Sequence, residues 1–188
     1  MSSAIDFSAI KEKKKTCPVI LHVGVDTERK NISSLYKALS LLEVPYFCVR
    51  IGASLDKHVS KQHLHYIHQH HLNVLQLDHV SEEELFAWYK TADVFVFPSL
   101  FEGFGRPPVE AQMAGCPVIS SHAWALQEIL GDSCLLLEDP CDPVAIAAKI
   151  TMVLSSPERR KNLIALGYQN AKKYTPDRVC EQFLSFFE

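Results

Sequence analysis

The chain has 188 residues, of which 47% are hydrophobic and 22% are charged, and its formal net charge is −3. This length and composition allow one buried apolar core, which excludes extended disorder and predicts a single domain. The mild negative charge gives no basic surface for nucleic acid, and no apolar run approaches the ~20 residues that cross a bilayer, so we expect neither a nucleic acid partner nor a membrane span.

Residues 1–16 are polar and include a lysine-rich run, which indicates an N-terminal linker or tail exposed to solvent. Residues 17–188 then alternate between strand-like and helix-like segments. The predicted strands are residues 18–23, 46–51, 73–77, 94–97, 117–119 and 134–137. The predicted helices are residues 32–42, 55–70, 82–89, 108–114, 125–130, 143–154, 158–173 and 177–187, and Ser81 with Glu84 matches a capping box.

Strands that alternate with helices imply right-handed βαβ crossovers and a mostly parallel sheet with helices on both faces. We therefore expect an α/β fold with a single Rossmann-like, doubly wound domain. The six cysteines show no Cys-x-x-Cys spacing, and several lie in apolar segments. This pattern favours buried free thiols and a cytoplasmic location over disulfides.

The most informative segment follows the fourth predicted strand, where residues 98–110 read PSLFEGFGRPPVE. It places Glu102 and Glu110 with seven residues between them, around a glycine-rich turn. Gly103 and Gly105 allow sharp backbone geometry, and the two prolines suit the first turn of a helix. Because this turn lies at the carboxyl end of a parallel strand, it predicts a pocket for an anionic ligand.

Residues 92–120, ADVFVFPSLFEGFGRPPVEAQMAGCPVIS, closely resemble the donor-binding motif of retaining, GT-B-type glycosyltransferases of group 1, similar to family 4. Residues 21–31, LHVGVDTERKN, resemble the first strand, glycine turn and basic pair of the same family. The resemblance covers roughly residues 17–174. It implies that residues 17–188 are the C-terminal half of a GT-B fold, which binds a nucleotide-diphosphate sugar.

The diphosphate has candidate partners just after the first strand. Gly24 permits a tight turn there, and Arg29 with Lys30 precedes the helix that begins near residue 32. Such cations would neutralise the phosphates and stabilise the departing nucleoside diphosphate. The plainer alternative is a solvated basic pair. Many members of the family have an arginine directly after the glycine, whereas this chain has Val25, so one common phosphate contact has no counterpart at that position.

For the donor sugar, the resemblance implies that Glu102 binds the sugar and supports positive charge at its anomeric carbon. Glu102, Lys30 and Arg29 are thus the candidate catalytic residues. The donor sugar and its phosphates would also meet the backbone amides of Gly103, Phe104, Gly105 and Arg106. Two alternatives remain open: Glu102 as an exposed loop acid, and an Arg106 side chain that points to water rather than to phosphate.

The nucleoside has two candidate contacts. Glu110, in the first turn of its helix, can bind the ribose hydroxyls, although the helix dipole alone also favours an acid there. The resemblance assigns the base to main-chain groups of Val80, which do not identify the base. Together these assignments predict that the two acids and the two cations line one hollow.

Six histidines lie on or beside one predicted helix: His58, His63, His65, His68, His70 and His71. No acid or cysteine completes a ligand set with them, so we expect a solvated, pH-sensitive helix and no metal site. The resemblance likewise implies metal-independent chemistry without a cofactor. Four aromatic residues follow strand alternation or helix packing and are predicted to lie in the core, namely Trp88, Phe95, Phe97 and Trp124.

Members of the family usually carry a second, N-terminal domain that binds the acceptor, and this chain has no counterpart of it. We therefore expect the chain to bind the donor but to transfer sugar poorly unless that domain is supplied in cis or in trans. The alternatives are a non-catalytic nucleotide-sugar sensor or scaffold module and, with a weaker match, an epimerase-like enzyme. Peripheral association with the cytosolic face of a membrane stays open.

Overall fold

The computed structural model describes residues 17–175 and 177–178. Its six strands are β1 (Val19–Val23), β2 (Phe47–Ile51), β3 (Val74–Leu77), β4 (Val94–Phe97), β5 (Val118–Ser121) and β6 (Leu135–Leu137). The α-helices described from end to end are α1 (Ile32–Leu39), α2 (Lys57–Gln69), α3 (Glu82–Thr91), α4 (Arg106–Met113), α5 (Ala125–Leu130), α6 (Pro143–Ser155) and α7 (Pro157–Ala171). The predicted tail, residues 1–16, and nearly all of the predicted last helix, residues 177–187, lie outside the described residues.

The six strands form one parallel sheet in the order β3-β2-β1-β4-β5-β6. The chain runs outward from β1 to β3 and then returns to place β4 beside β1. The strand order therefore reverses between β1 and β4, and sheets of this kind bind ligands at the carboxyl ends of the strands beside such a reversal. The predicted α/β, doubly wound fold is confirmed, and the sheet is parallel throughout.

Two apolar clusters, one on each face of the sheet, form the core. The first includes Trp88 of α3, Val109 of α4 and Leu126 of α5. The second includes Leu35 of α1 and Ile150 of α6. Because both faces are covered, strands such as β4 are apolar without alternation and buried throughout.

Local hydrogen bonds explain where the helices begin and end. The capping box is confirmed, because the Glu84 N–H donates to Ser81 Oγ (3.1 Å) and the Ser81 N–H donates to Glu84 Oε2 (2.9 Å). Helix α1 ends at Leu39 rather than at residue 42, since the next residues turn more tightly, with the Leu42 N–H donating to Leu39 O.

Cys48 and Cys134 are buried free thiols, as expected, and Cys141 is an exposed one. Burial raises the pKa of the Cys48 and Cys134 thiols to about 12, which makes them poor nucleophiles. Cys180 lies outside the described residues. Among the helices of the described ranges, none combines the length and the apolar character needed to cross a bilayer.

Candidate active site

The loop after β1 and the glycine-rich loop after β4 are hydrogen-bonded to each other at the reversal of strand order. The Leu100 N–H and the Ser99 hydroxyl both donate to the carbonyl of Arg29, at 2.8 and 3.0 Å. In return, Arg29 Nη1 donates to the carbonyl of Phe101 at 2.9 Å. These hydrogen bonds therefore fix the position of one loop relative to the other without the help of a ligand.

Glu102 is the centre of this site and is only 8% exposed. Its Oε1 atom accepts from Lys30 Nζ at 2.7 Å and from Ser99 Oγ at 2.7 Å, and it lies 2.5 Å from Arg29 Nη1. The cluster holds two positive charges against one negative charge, so it favours a further anion. Sequence reasoning did not identify Ser99, whose only signal was a small polar residue at the end of a strand.

Burial alone would raise the pKa of the Glu102 carboxyl, but hydrogen bonds from Lys30, Ser99 and Arg29 outweigh it and lower that pKa below its usual value. For Lys30, burial is the largest effect and lowers the ammonium pKa, while Glu102 opposes the shift. Because the carboxylate is the favoured form of Glu102 at neutral pH, this acid accepts hydrogen bonds and does not donate a proton there.

Lys30 reaches Glu102 by crossing over Gly24. A Cβ atom built on Gly24 would lie 3.1 Å from Lys30 Cε, so a larger residue would crowd the lysine side chain. The Lys30 ammonium also lies 4.4 Å from the centre of the Phe97 ring. The predicted glycine turn and lysine therefore act together, since the glycine leaves room for a nearly buried cation.

Gly105 is the residue that sets the start of α4. It has the left-handed conformation (φ 83°, ψ 56°) and is the N-cap of α4, so the helix begins at Arg106, two residues before the predicted start. A Cβ atom on Gly105 would lie 2.3 Å from Leu126 Cδ2. Gly103 and Phe104 are exposed, and the Phe104 ring meets Tyr174 edge-on at 5.4 Å.

Glu110 lies in α4 and contacts a different set of residues from Glu102. Its Oε2 accepts from Tyr89 Oη at 3.1 Å, and its Oε1 lies 3.2 Å from Arg106 Nη2. The Arg106 side chain is 82% exposed, so it points to water and to Glu110. Val80, between β3 and α3, is half-buried and packs against the core.

A buried charged cluster, which the sequence reasoning missed, lies beside the loop after β1. Asp26 and Arg50 are 4% and 2% exposed and are 4.0 Å apart, and His63 Nδ1 lies 3.0 Å from Asp26 Oδ2. Burial opposes ionisation of Asp26, but the hydrogen bond to His63 and the nearby charges lower its pKa. The Asp26 N–H also donates to Ala53 O at 2.9 Å, so this cluster fixes the loop against β2.

The expectation of a fully solvated histidine helix is wrong at one position. His63 is buried because α2 packs it onto Asp26, while its Nε2 atom lies 2.9 Å from Ser33 Oγ. The other five histidines of the tract are exposed. Across the described ranges, no group of three or more His, Cys, Asp or Glu side chains has an arrangement that could hold a metal ion.

Asn31 links the start of α1 to the site and was also missed. Its side chain donates to Pro98 O at 3.1 Å and to Pro140 O at 2.6 Å, which joins three loops. Asn31 has the left-handed conformation (φ 53°), which asparagine tolerates better than most residues. An asparagine directly before a predicted helix was the only available signal.

The prediction of a buried Trp124 is wrong, whereas Trp88, Phe95 and Phe97 are buried as expected. Trp124 is 74% exposed because it lies in the loop before α5, at φ 54° and ψ −126°. Glycine usually occupies this region, and a side chain held there costs on the order of 1–3 kcal/mol.

The six-stranded parallel sheet with its reversal of strand order is one Rossmann-like half of a GT-B fold. The fold is similar to the C-terminal domain of LpcC, a group 1 glycosyl transferase of Francisella tularensis, with a TM-score of 0.76, 24% identity, and coverage of 86% of this chain and 89% of that one. It is also similar to HepE of Anabaena, solved with UDP and glucose, with a TM-score of 0.84, 19% identity, and coverage of 99% and 53%.

The chain belongs to the family of group 1 glycosyl transferases, whose model matches residues 4–170. One relative is O-antigen chain mannosyltransferase B of Escherichia coli, which is 36% identical over 112 residues. That match covers 60% of this chain and 29% of the relative. The chain thus spans about half of HepE and matches less than a third of the mannosyltransferase.

Proposed function

We propose that this chain is the donor-binding half of a retaining glycosyltransferase that uses a nucleotide-diphosphate sugar, with mannose or another hexose as the transferred sugar. The observation that carries the proposal is the contact of Lys30 and Arg29 with Glu102 where the strand order reverses. The mannosyltransferase relative and the UDP and glucose bound by HepE support the same class of donor.

Lys30 and Arg29 would bind the diphosphate. The Arg29 side chain is 44% exposed and can turn from Glu102 toward a phosphate, whereas Lys30 is held below it and 8% exposed. Arg29 thus offers the phosphate contact that Val25, 40% exposed, cannot make. These cations do the work that a metal ion would otherwise do, so the reaction we propose is metal-independent.

Glu102 would hold the donor sugar. Within the described part of the chain its three contacts converge on Oε1, which leaves Oε2 to accept from a sugar hydroxyl. Backbone amides at Gly103, Phe104, Gly105 and Arg106 lie at the start of α4, where the helix dipole favours a phosphate. Glu110 would bind the ribose and the main chain of Val80 the base.

In the transfer step, an acceptor hydroxyl oxygen bonds to the anomeric carbon as the bond from that carbon to the phosphate oxygen breaks. For the anomeric configuration to be retained, the acceptor must approach from the same face of the sugar that the phosphate leaves. The departing phosphate takes the proton of the acceptor hydroxyl. Lys30 and Arg29 stabilise the negative charge on the leaving group, and Glu102 supports the positive charge at the anomeric carbon.

An acceptor-binding domain must supply the other wall of the cleft, in cis or in trans. We expect the 188 residues alone to bind donor and to hydrolyse it slowly, with little transfer. The full system would work in the cytoplasm, and peripheral contact of the chain with a membrane remains part of this hypothesis.

Calorimetric titration with UDP-, GDP- and ADP-sugars tests the proposal. The site variants are Lys30→Ala and Glu110→Ala. The control is Lys37→Ala, on the exposed side of α1. We expect both site variants, but not the control, to lose at least about tenfold in affinity. Turnover that appears only with an acceptor domain supports a split enzyme. Binding that never leads to turnover favours a sensor, and no binding to any donor rejects both.

A further inference from the structure

Two large aromatic rings stand exposed on the rim of the candidate active site. Phe101 is 46% exposed and Trp124 is 74% exposed. Their ring centres are 5.0 Å apart, with the planes at 72°, so they form an edge-to-face pair. Exposed apolar surface of this kind commonly marks a binding site, and two rings held against each other offer a preformed one.

The backbone of Trp124 indicates that its ring is not there for packing. Its conformation suits glycine, and its ring is the more exposed of the pair. A bulky side chain therefore occupies a position where it adds nothing to core packing and where the backbone conformation is unfavourable for it. Unfavourable backbone geometry that persists without a packing benefit is typical of binding sites.

The position of Phe101 connects the pair to the chemistry. Phe101 directly precedes Glu102, and its carbonyl accepts from Arg29 Nη1 at 2.9 Å. Glu102 is buried, whereas the rings of Phe101 and Trp124 are exposed. Because Phe101 is the neighbour of Glu102 in the loop, a sugar held by Glu102 would have this exposed aromatic surface close by.

We propose that Phe101 and Trp124 form a platform on which a pyranose ring of a carbohydrate acceptor stacks. This inference rests on the proposed function and adds the chemical class of the acceptor. A pyranose ring has an apolar C–H face that suits an aromatic ring and hydroxyl edges that need polar partners. The guanidinium of Arg29, which is half-exposed and bonded to the Phe101 carbonyl, supplies such a partner, and a lipid or an apolar protein surface would leave its exposed N–H groups unsatisfied.

Tryptophan emission tests the platform directly, because the chain has only two tryptophans and Trp88 is fully buried. We expect α-mannotriose or maltotriose to change the exposed Trp124 emission saturably. Phe101→Ala should weaken this binding about tenfold or more, whereas Phe86→Ala should not. Phe86 is a matched control, since it lies on α3 and is 45% exposed.

Trp124→Gly separates binding from structure, and oligosaccharide binding to the Trp124 variants is measured by calorimetry because they lack the fluorescent reporter. The glycine fits the local backbone, so the variant should melt at a higher temperature and yet lose oligosaccharide binding. Trp124→Phe should retain part of the binding. Nucleotide affinity, measured by calorimetry with the free nucleotide, should be unchanged in Phe101→Ala, Trp124→Gly and Trp124→Phe. A failure of the platform is therefore distinguishable from a failure of donor binding.

Three results would overturn the platform. The first is no saturable response to either oligosaccharide in a chain that binds nucleotide. The second is a Trp124→Gly variant that binds oligosaccharide as well as the parent. The third is oligosaccharide-independent association, either of the chain with itself in sedimentation or with phospholipid vesicles, that Phe101→Ala abolishes.

Discussion

Lys30 Nζ lies 2.7 Å from Glu102 Oε1, although the two residues are 72 positions apart in the chain. The contact joins the loop after β1 to the loop after β4, at the point where ligands bind in folds of this kind. Both side chains are nearly buried. The same pair therefore stabilises the fold and supplies a positive charge that can bind an anion.

We expect Lys30→Met to lower the free energy of unfolding by about 2–3 kcal/mol, since Glu102 keeps Arg29 and Ser99 but loses its buried cation. Glu102→Gln should lower it as well, and the double variant should lose less than the sum of both. Urea denaturation of the four proteins measures this coupling, which we place at about 1 kcal/mol or more. Strictly additive losses would mean that the contact contributes nothing.

The glycine-rich loop offers a matched pair of substitutions. Gly105→Ala should destabilise the fold by about 2–4 kcal/mol, because the new Cβ would meet Leu126 and alanine disfavours φ 83°. At Gly103 a Cβ atom meets nothing within 4 Å, so Gly103→Ala should be nearly neutral. Thermal melting of both variants checks this, and equal losses would contradict the described geometry of the loop.

The lowered pKa of Glu102 predicts how stability depends on pH. A carboxyl whose pKa is lower in the folded state stabilises the fold fully above its ordinary value of 4.5, and this contribution is lost as the pH falls through the folded pKa. The stability difference between the wild type and Glu102→Gln should therefore be constant near neutral pH and shrink below 4.5. A difference that grows on acidification would show that Glu102 is not held as a carboxylate.

Arg50 and Asp26 form the second buried charge pair. Asp26→Ala should cost about 3–5 kcal/mol, because it leaves a buried guanidinium without its carboxylate. Adding Arg50→Met should restore part of that loss, since an apolar chain of similar length needs no counter-charge. Guanidinium chloride unfolding compares the two variants, and a double variant less stable than Asp26→Ala alone would argue against the pairing.

Much of the fold was predictable because local signals agree. Strand β4 is an apolar run that ends at a proline, and α3 begins with a capping box, so both were placed closely from the sequence. Trp124 and His63 were misplaced because their exposure depends on neighbours far along the chain. Trp124 lies in a loop that no periodicity describes, and His63 is buried only because Asp26 comes from another strand end.

The candidate site was predictable to a different degree at each residue. The glycine turns, the acids and the basic pair resemble a family motif, and this resemblance brought Glu102, Lys30 and Arg29 together as candidates. Contacts such as those of Asn31 with Pro98 and Pro140 involve main-chain atoms, and side-chain identity does not reveal them. The role of Glu110 stays a prediction, since its contacts with Tyr89 and Arg106 do not themselves define a ribose site.

The most direct test of the donor site is a two-dimensional amide NMR spectrum of the ¹⁵N-labelled chain, recorded while UDP or GDP is added. The amides of Gly24, Lys30 and residues 102–106 should shift saturably with at least one nucleotide, and Lys30→Met should weaken those shifts. Shifts centred on α6 and α7, or no saturable shift with either nucleotide, would contradict a nucleotide site built around Glu102.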